Sequence, residues 1–368
     1  MKKTAVLLLN LGTPRSAAVA DVRRYLAEFL SDPRVLDMPP AGRWLLLHGI
    51  ILRTRPRKSA AAYRQIWTAA GSPLLVESMK LLDGVRSELG AGYQVDMAMR
   101  YGDPAIASVL PGLLASHPER LLVVPLYPQY ASAATGSSLT RVFEVLAESA
   151  SAPRPEVRTL PAFYDEPGWL ASWDAAGGEQ LRAFAPDHVL FSYHGLPERQ
   201  IRALDSSSRH CFASDSCCDA IGPQNRGCYR AQCFATTRGL VGALELGATP
   251  YSTSFQSRLG RTPWIRPYTD EILEQLAAQG VRRLAVLCPA FVADCLETLE
   301  EIDIRLAEQW RAVGGEELLR LPCPNAHPRF VRALSDQIRQ GLEPVSRAQE
   351  GPRAGKREEI DSRAGGST

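Results

Sequence analysis

The feature that most constrains the fold is a series of eight short apolar runs separated by segments of helix length. The runs occupy residues 5–9, 95–99, 121–126, 157–160, 189–193, 252–256, 284–287 and 318–321. Short apolar runs that alternate with helical segments are typical of parallel strands covered by helices. The sequence therefore predicts an α/β protein with two similar halves, each a mostly parallel four-stranded sheet flanked by helices.

The expected domain boundary lies where prolines cluster, at residues 152–167. A chain of 368 residues is long for one hydrophobic core, which favours two domains. We expect an N-terminal domain at 1–160 and a C-terminal domain at 161–345, with a cysteine-rich insert at about 204–233. Residues 346–368 are polar and glycine-rich without periodicity, which predicts a disordered tail.

Charge and hydropathy narrow the choice of partners. The net charge of +2 lacks the basic excess of a nucleic-acid-binding protein, so small partners are expected. The first apolar run, 5–9, stops at Asn10 and is too short for a signal peptide, and no run reaches the ~20 residues of a membrane span. We therefore expect a cytoplasmic protein with reduced thiols.

Polar and aromatic residues follow several of the predicted strands. The ones that come directly after a strand or at its end are Asn10, Gly12, Arg100, Tyr101, Tyr127, Gln129, Tyr130, His194, Ser257 and Arg258. Ligands bind at the carboxyl ends of strands in open α/β sheets. If the two halves face each other, these groups line one cleft.

A cysteine cluster follows the fifth predicted strand. Its members, spaced x5, x0, x9 and x4, are Cys211, Cys217, Cys218, Cys228 and Cys233. Four thiolates bind zinc or an iron–sulfur cluster, and this spacing matches neither zinc ribbons nor ferredoxins. Five candidates for four positions leave one spare, most simply either Cys217 or Cys218.

Two further stretches have alternative interpretations. The apolar run from Trp44 to Leu52 leads into a basic group at 53–58, and is either a buried helix before a solvated turn or an apolar lip suited to an anionic ligand or membrane surface. Residues 294–310 form a predicted helix with Glu297 and Glu301 on its acidic side. That side is either solvated or, because it begins at the ligand edge, a path for protons or a cation.

Seven ordered motifs resemble those of ferrochelatases. They are LLLNLGTP, YRQIWTAAGSPL, MRYGDP, YPQYASAATGSSL, FSYHGLPER, FQSRLGRTPWIRPYTDEIL and DCLETLEEI, and they extend over about residues 4–340. The resemblance implies two Rossmann-like domains of the chelatase type, with a porphyrin in the cleft between them. It also implies an enzyme, a lyase of haem biosynthesis that inserts Fe2+ into protoporphyrin IX.

The resemblance also implies roles for individual residues. His194 is the metal-binding or proton-accepting histidine, Glu297 the acidic partner that faces it, and Glu301 continues the acidic path. The expected porphyrin contacts are Arg55, Ser72, Arg100, Tyr101, Tyr127 and Tyr130. Some ferrochelatases hold a [2Fe-2S] cluster, which favours iron–sulfur over zinc for the cysteine segment.

The motifs depart from the family pattern at two points. Ser132 stands where members with a C-terminal cluster have a ligand, so a cluster here must lie wholly within the internal segment. Cys295 replaces a histidine found two residues before the glutamate in many relatives.

The competing hypotheses are a chelatase for coproporphyrin III or another metal, and a non-catalytic haem-binding or iron–sulfur sensor. The oligomeric state and the strength of any membrane contact stay open.

Overall fold

The eight predicted strands are all present and confirm the α/β assignment. The structure is a computed structural model that describes residues 4–149, 154–205, 207–258 and 262–343. The strands are β1 (Thr4–Gly12), β2 (Tyr93–Tyr101), β3 (Arg120–Pro125), β4 (Glu156–Thr159), β5 (His188–His194), β6 (Tyr251–Gln256), β7 (Arg283–Leu287) and β8 (Glu317–Arg320). The predicted disordered tail at 346–368 lies outside the described residues.

The strands form two parallel sheets with the same internal order. The first sheet runs β2-β1-β3-β4 and the second β6-β5-β7-β8, and every neighbouring pair is parallel. In register, Leu8 of β1 lies beside Met97 and Val124. In each sheet, the connection from one central strand (β1 or β5) leads to one edge of the sheet, and the connection from the other (β3 or β7) leads to the opposite edge. Such a switch point opens a crevice at the carboxyl ends of those strands.

Helices cover both faces of each sheet. They are α1 (Val19–Ser31), α2 (Pro40–Leu46), α3 (Leu52–Ile66), α4 (Pro73–Leu89), α5 (Ile106–Leu114), α6 (Ser137–Glu148), α7 (Pro167–Phe184), α8 (Glu198–Arg202), α9 (Tyr229–Ala243), α10 (Thr269–Ala278), α11 (Leu296–Thr298), α12 (Ala307–Ala312) and α13 (Pro328–Leu342). Three π-helical stretches, at Leu47–Ile51, Ser132–Gly136 and Leu299–Leu306, adjoin these helices.

Strand β1 is buried on both faces because its side chains alternate between two cores. Val6 and Leu8 pack in a core that extends into the second half, where it includes Trp169. Leu7 and Leu9 pack in a separate core on the opposite face. A strand with helices on both sides needs apolar residues at every position, which explains the unbroken run at 5–9.

The C-terminal helix α13 packs on the first sheet's helices, although it follows the second sheet in the chain. Val331 of α13 lies against Gly84 of α4, where a Cβ atom would be 2.8 Å from Val331 Cγ2. The Arg120 guanidinium donates to the Leu342 carbonyl at 2.9 Å. The two halves thus share a covering helix, and the division at residue 160 stays a prediction.

The predicted helix at 294–310 is divided and differs from a regular α-helix. It begins with α11, continues as the π-helical stretch Leu299–Leu306 and ends with α12. The wider π turn changes the angle between successive side chains, so the value of 100° per residue does not hold through Leu299–Leu306, although Glu297 and Glu301 both line the cavity. Asp294 is buried and ion-paired with Arg320 at 2.7 Å, whereas Glu308 is exposed.

The apolar run from Trp44 to Leu52 is likewise split between two environments. Leu47 and Ile51 are buried, whereas Trp44, Leu45 and Ile50 are among the exposed large apolar side chains. Helix α2 and the π stretch Leu47–Ile51 place these two sets on different faces. Among the described residues, no helix combines the length and apolarity needed to cross a bilayer.

We predict that Gly12→Ala destabilises the protein more than the matched change Gly71→Ala. Both glycines have a φ that strains other residues, +113° and +116°, but only at Gly12 would the Cβ overlap another atom, 1.8 Å from the Tyr101 carbonyl oxygen. The shared backbone strain is worth about 1–3 kcal/mol, and forced overlap adds about 1–3 kcal/mol at Gly12. Urea denaturation measures both losses, and equal losses would contradict this explanation.

Candidate active site

The carboxyl ends of both sheets open into one large cavity. Its volume is about 1370 Å³, and its walls include Asn10 near the end of β1, Tyr127 after β3, His194 at the end of β5 and Gln256 at the end of β6. Ligand pockets are usually about 300–1,000 Å³ and mostly apolar. The predicted single cleft between the two halves is therefore present, and it can hold a large ligand.

His194 lies in the cavity wall with one ring nitrogen already engaged. Its Nδ1 is 2.7 Å from the Gly195 carbonyl oxygen. Because a carbonyl only accepts, this bond requires Nδ1 to hold the proton, which leaves the lone pair of the neutral ring on Nε2. The His194 backbone carbonyl accepts a hydrogen bond from the Tyr229 hydroxyl at 2.8 Å. The imidazole can therefore accept a proton or bind a metal ion through Nε2.

Glu297 lies in α11 and lines the cavity, and the pKa of its carboxyl group is raised above the ordinary value. Burial raises its pKa and the negative charge of Glu301 raises it further, whereas His194 and a hydrogen bond with Cys295 act in the opposite direction. His194 and Glu297 line the same cavity, and His194 favours the charged form of Glu297 electrostatically. A carboxylate of this kind binds protons more readily than an exposed glutamate.

Glu301 is held by contacts from three directions. Ser257 donates a short hydrogen bond to its carboxylate, and the Gln256 amide donates at 3.3 Å. Arg305 forms ion pairs at 3.0 Å with Glu301 and with Glu300. Glu301 is thus held in place beside the half-buried Glu297 and the exposed Arg305.

The six residues expected to contact a porphyrin separate into two groups. Arg55, Ser72 and Tyr127 line the cavity. Arg100 and Tyr101 instead bind Asp32, at 2.7 and 3.0 Å. Tyr130 also does not line the cavity, and its backbone N–H donates to Gln232 at 2.6 Å.

Gln256 is a site residue that sequence reasoning missed. Its amide donates to the Glu297 carbonyl at 2.8 Å as well as to Glu301, and its Oε1 accepts from the Ser192 hydroxyl at 2.7 Å. Gln256 therefore joins β5, β6 and the helix that contains both glutamates. The available signal was a polar side chain at the end of the buried run 252–256.

The thiols of Cys217 and Cys218 are in contact, with their Sγ atoms 3.7 Å apart. The Arg230 guanidinium lies 3.9 Å from the first of these sulfur atoms and 3.2 Å from the second. Cys233 is fully buried on α9. All eight cysteines are free thiols. Within the part of the chain that the structure describes, no three His, Cys, Asp or Glu side chains are grouped around one point that could hold a metal ion.

We predict that Glu301→Gln lowers the pKa of Glu297. The neighbouring negative charge raises that pKa, so removing the charge makes Glu297 easier to ionise. Infrared-detected titration with labelled glutamate measures the change. Glu308→Gln is the matched control, since Glu308 is exposed and on the same helical segment. An unchanged pKa in Glu301→Gln would contradict the electrostatic assignment.

Two solved structures share the fold. "SirB from Bacillus subtilis with Fe3+" covers 93% of this chain and 96% of its own, with a TM-score of 0.51 and 10% identity. The sirohydrochlorin chelatase SirB from Bacillus subtilis subspecies spizizenii in complex with cobalt covers 93% of this chain and 95% of its own, with a TM-score of 0.50 and 10% identity. At this identity the likeness confirms the fold alone.

Sequence comparison is more specific. The Ferrochelatase family model matches residues 3–342. Ferrochelatase from Coxiella burnetii (strain Dugway 5J108-111) is 44% identical over 341 residues, which cover 93% of this chain and 94% of that protein. Ferrochelatase from Legionella pneumophila (strain Paris) is 43% identical over 342 residues, 92% of this chain and 100% of that protein. The chain therefore belongs to the ferrochelatase family.

Proposed function

We propose that this chain is a lyase that inserts Fe2+ into protoporphyrin IX and releases two protons, forming protohaem in haem biosynthesis. Family membership supports the reaction class. The observation that supports the site assignment is that His194 and the half-buried Glu297 line one large cavity at the edges of both sheets. Iron keeps its oxidation state in this reaction, so no electron donor is required.

The cations of the cavity wall support protoporphyrin as the ring substrate. Arg199, Arg258 and Arg305 each bind a carboxylate of the protein. Arg55 and Lys58 also line the cavity and are exposed, and within the described residues neither forms an ion pair. They are suited to the two propionates of protoporphyrin IX. Coproporphyrin III has twice as many propionates and would need further free cations.

His194 and Glu297 supply the groups that metal insertion needs. The pyrrole protons must leave as Fe2+ enters the ring, and the lone pair on His194 Nε2 can accept a proton or bind the incoming ion. Glu297 can take up a proton because its pKa is raised, and Glu301 lies beside it toward Arg305. We propose that these carboxylates pass protons from the ring to the surface.

We predict that His194→Ala and Glu297→Gln each lower kcat for haem formation by about 10²–10⁴-fold. Neither change removes the apolar walls, so the Kd for protoporphyrin should stay within a few-fold of the wild type. His188→Gln is the matched control, because His188 begins the same strand and binds Ser252 at 2.9 Å.

Anaerobic assays with protoporphyrin IX and coproporphyrin III, with Fe2+, Co2+ and Ni2+ offered separately, test the substrate assignment. We expect the highest kcat/KM for Fe2+ with protoporphyrin IX. Preference for coproporphyrin III or another metal would support the competing chelatase assignment. Full turnover by His194→Ala would refute the role of that residue, and haem binding without any insertion would support a non-catalytic sensor.

We further propose that the cysteine segment holds a [2Fe-2S] cluster through Cys211, Cys217, Cys218 and Cys228. The donor set fits, since a two-iron cluster is held by four cysteine thiolates, two on each iron. The Arg230 guanidinium lies 3.2 Å from Cys218 Sγ, where it can offset thiolate charge. A bound cluster would link the parts of the segment that carry these four cysteines. The place of Cys233 inside helix α9, where it is fully buried, supports Cys233 rather than Cys217 or Cys218 as the spare cysteine.

We predict that Cys218→Ser abolishes iron binding in the segment, whereas Cys233→Ser retains it. Protein prepared without oxygen should be brown, with about two irons and two acid-labile sulfides per chain. Metal analysis and visible absorbance measure both variants against the wild type. A colourless wild-type protein with stoichiometric zinc would contradict the cluster, and loss of iron in Cys233→Ser alone would contradict the ligand assignment.

We also propose that the protein is cytoplasmic and makes peripheral contact with the inner face of the membrane through the run from Trp44 to Leu52. The exposed side chains of Trp44, Leu45 and Ile50 support it, since they lie next to the basic group at 53–58. Co-sedimentation with anionic lipid vesicles tests it, and equal binding by Trp44→Ser would argue against it.

A further inference from the structure

The first residue of α9 connects the cysteine segment to the cavity. Tyr229 follows Cys228 directly, is buried, and lines the cavity. Its hydroxyl donates to the backbone carbonyl of His194 at 2.8 Å. This hydrogen bond holds the strand end from which the His194 side chain projects.

The first turn of α9 contacts the cysteine segment through several residues. Cys228 forms the N-cap of α9. The Arg230 guanidinium lies 3.2 Å from Cys218 Sγ and 5.9 Å from the ring centroid of Phe212. The Gln232 amide donates to the Arg226 carbonyl at 2.7 Å. A displacement of the thiols would therefore move the start of α9.

Helix α9 also contacts the first half of the chain. The Gln232 Oε1 accepts the backbone N–H of Tyr130 at 2.6 Å. One turn later, the Thr236 hydroxyl accepts from the Gln129 amide at 2.9 Å. Gln129 is buried in the cavity wall. The first two turns of α9 thus set the relative placement of both cavity walls.

We propose that Tyr229 is a positioning residue that couples the order of the cysteine segment to the placement of His194. The proposal rests on the proposed function, because it concerns the histidine assigned to proton or metal binding. When a catalytic side chain is displaced by about 1 Å, the catalysed rate can fall by about 10²-fold. Loss of the bond from Tyr229, or disorder of the thiols that anchor it, should therefore slow turnover without removing porphyrin binding.

A double-mutant cycle tests this coupling in the full chain. The variants are Tyr229→Phe, Cys217→Ser and the combination, with Tyr268→Phe as the matched control. Tyr268 is also buried, and its hydroxyl likewise donates to a backbone carbonyl, that of Trp264 at 3.2 Å. We expect Tyr229→Phe to lower kcat about tenfold with the KM for protoporphyrin within about threefold. The Tyr268→Phe control should leave both unchanged.

The decisive result is the effect of the cysteine change in each background. Cys217→Ser should lower kcat when Tyr229 is present and cause no further loss in Tyr229→Phe. If the two changes instead lower kcat independently, so that their fold-losses multiply in the combined variant, the coupling is overturned. If Cys217→Ser does not fold, Arg230→Met replaces it, because Arg230 makes the contact with Cys218.

A second measurement does not depend on activity. The ring C2–H proton resonance of His194 reports its surroundings, and it should shift in Cys217→Ser but not when the cysteine change is made in Tyr229→Phe. An unmoved His194 resonance in Cys217→Ser would overturn the proposal. If the wild-type protein inserts no iron, the proposed function fails, while this resonance still decides whether the cysteine segment and His194 are coupled.

Discussion

A half-buried glutamate that shares one cavity with a histidine is the constraint on which the rest of this structure depends. Burial and the charge of Glu301 raise the pKa of Glu297, and His194 offsets part of that effect. The second sheet brings these groups to one edge, since β5, which ends at His194, lies beside β7 and the helix after β7 contains Glu297. The apolar walls of the cavity raise the cost of ionising Glu297 and at the same time provide a surface for a flat ring.

The sequence was sufficient for the sheets but not for every side chain at their edges. The central strands were predicted because burial on both faces demands a continuous apolar run, as in β1. The π-helical stretch Leu299–Leu306 was not predicted, because periodicity assumes a constant turn. Arg100 lies at a strand end, yet its guanidinium binds Asp32, a residue 68 positions earlier. Strand ends are set by local sequence, whereas the direction of a long side chain depends on distant partners.

The cysteine segment illustrates the same distinction. Its spacing suggested a soft-metal site but left the choice of ligands open, with Cys217 or Cys218 as the simplest spare. In the folded chain Cys233 lies inside helix α9, whereas the other four cysteines of the segment precede that helix. Tyr229, one residue after Cys228, donates a hydrogen bond from its hydroxyl to the backbone carbonyl of His194. A segment that resembles a separate insert in the sequence is therefore part of the cavity's support.

A structure of the protein with protoporphyrin IX bound tests the central claim most directly. The account predicts that the ring lies in the cavity with His194 Nε2 and the Glu297 carboxylate on opposite sides of its centre, and its propionates near Arg55 and Lys58. A ring bound elsewhere, or one that contacts neither His194 nor Glu297, would contradict the account.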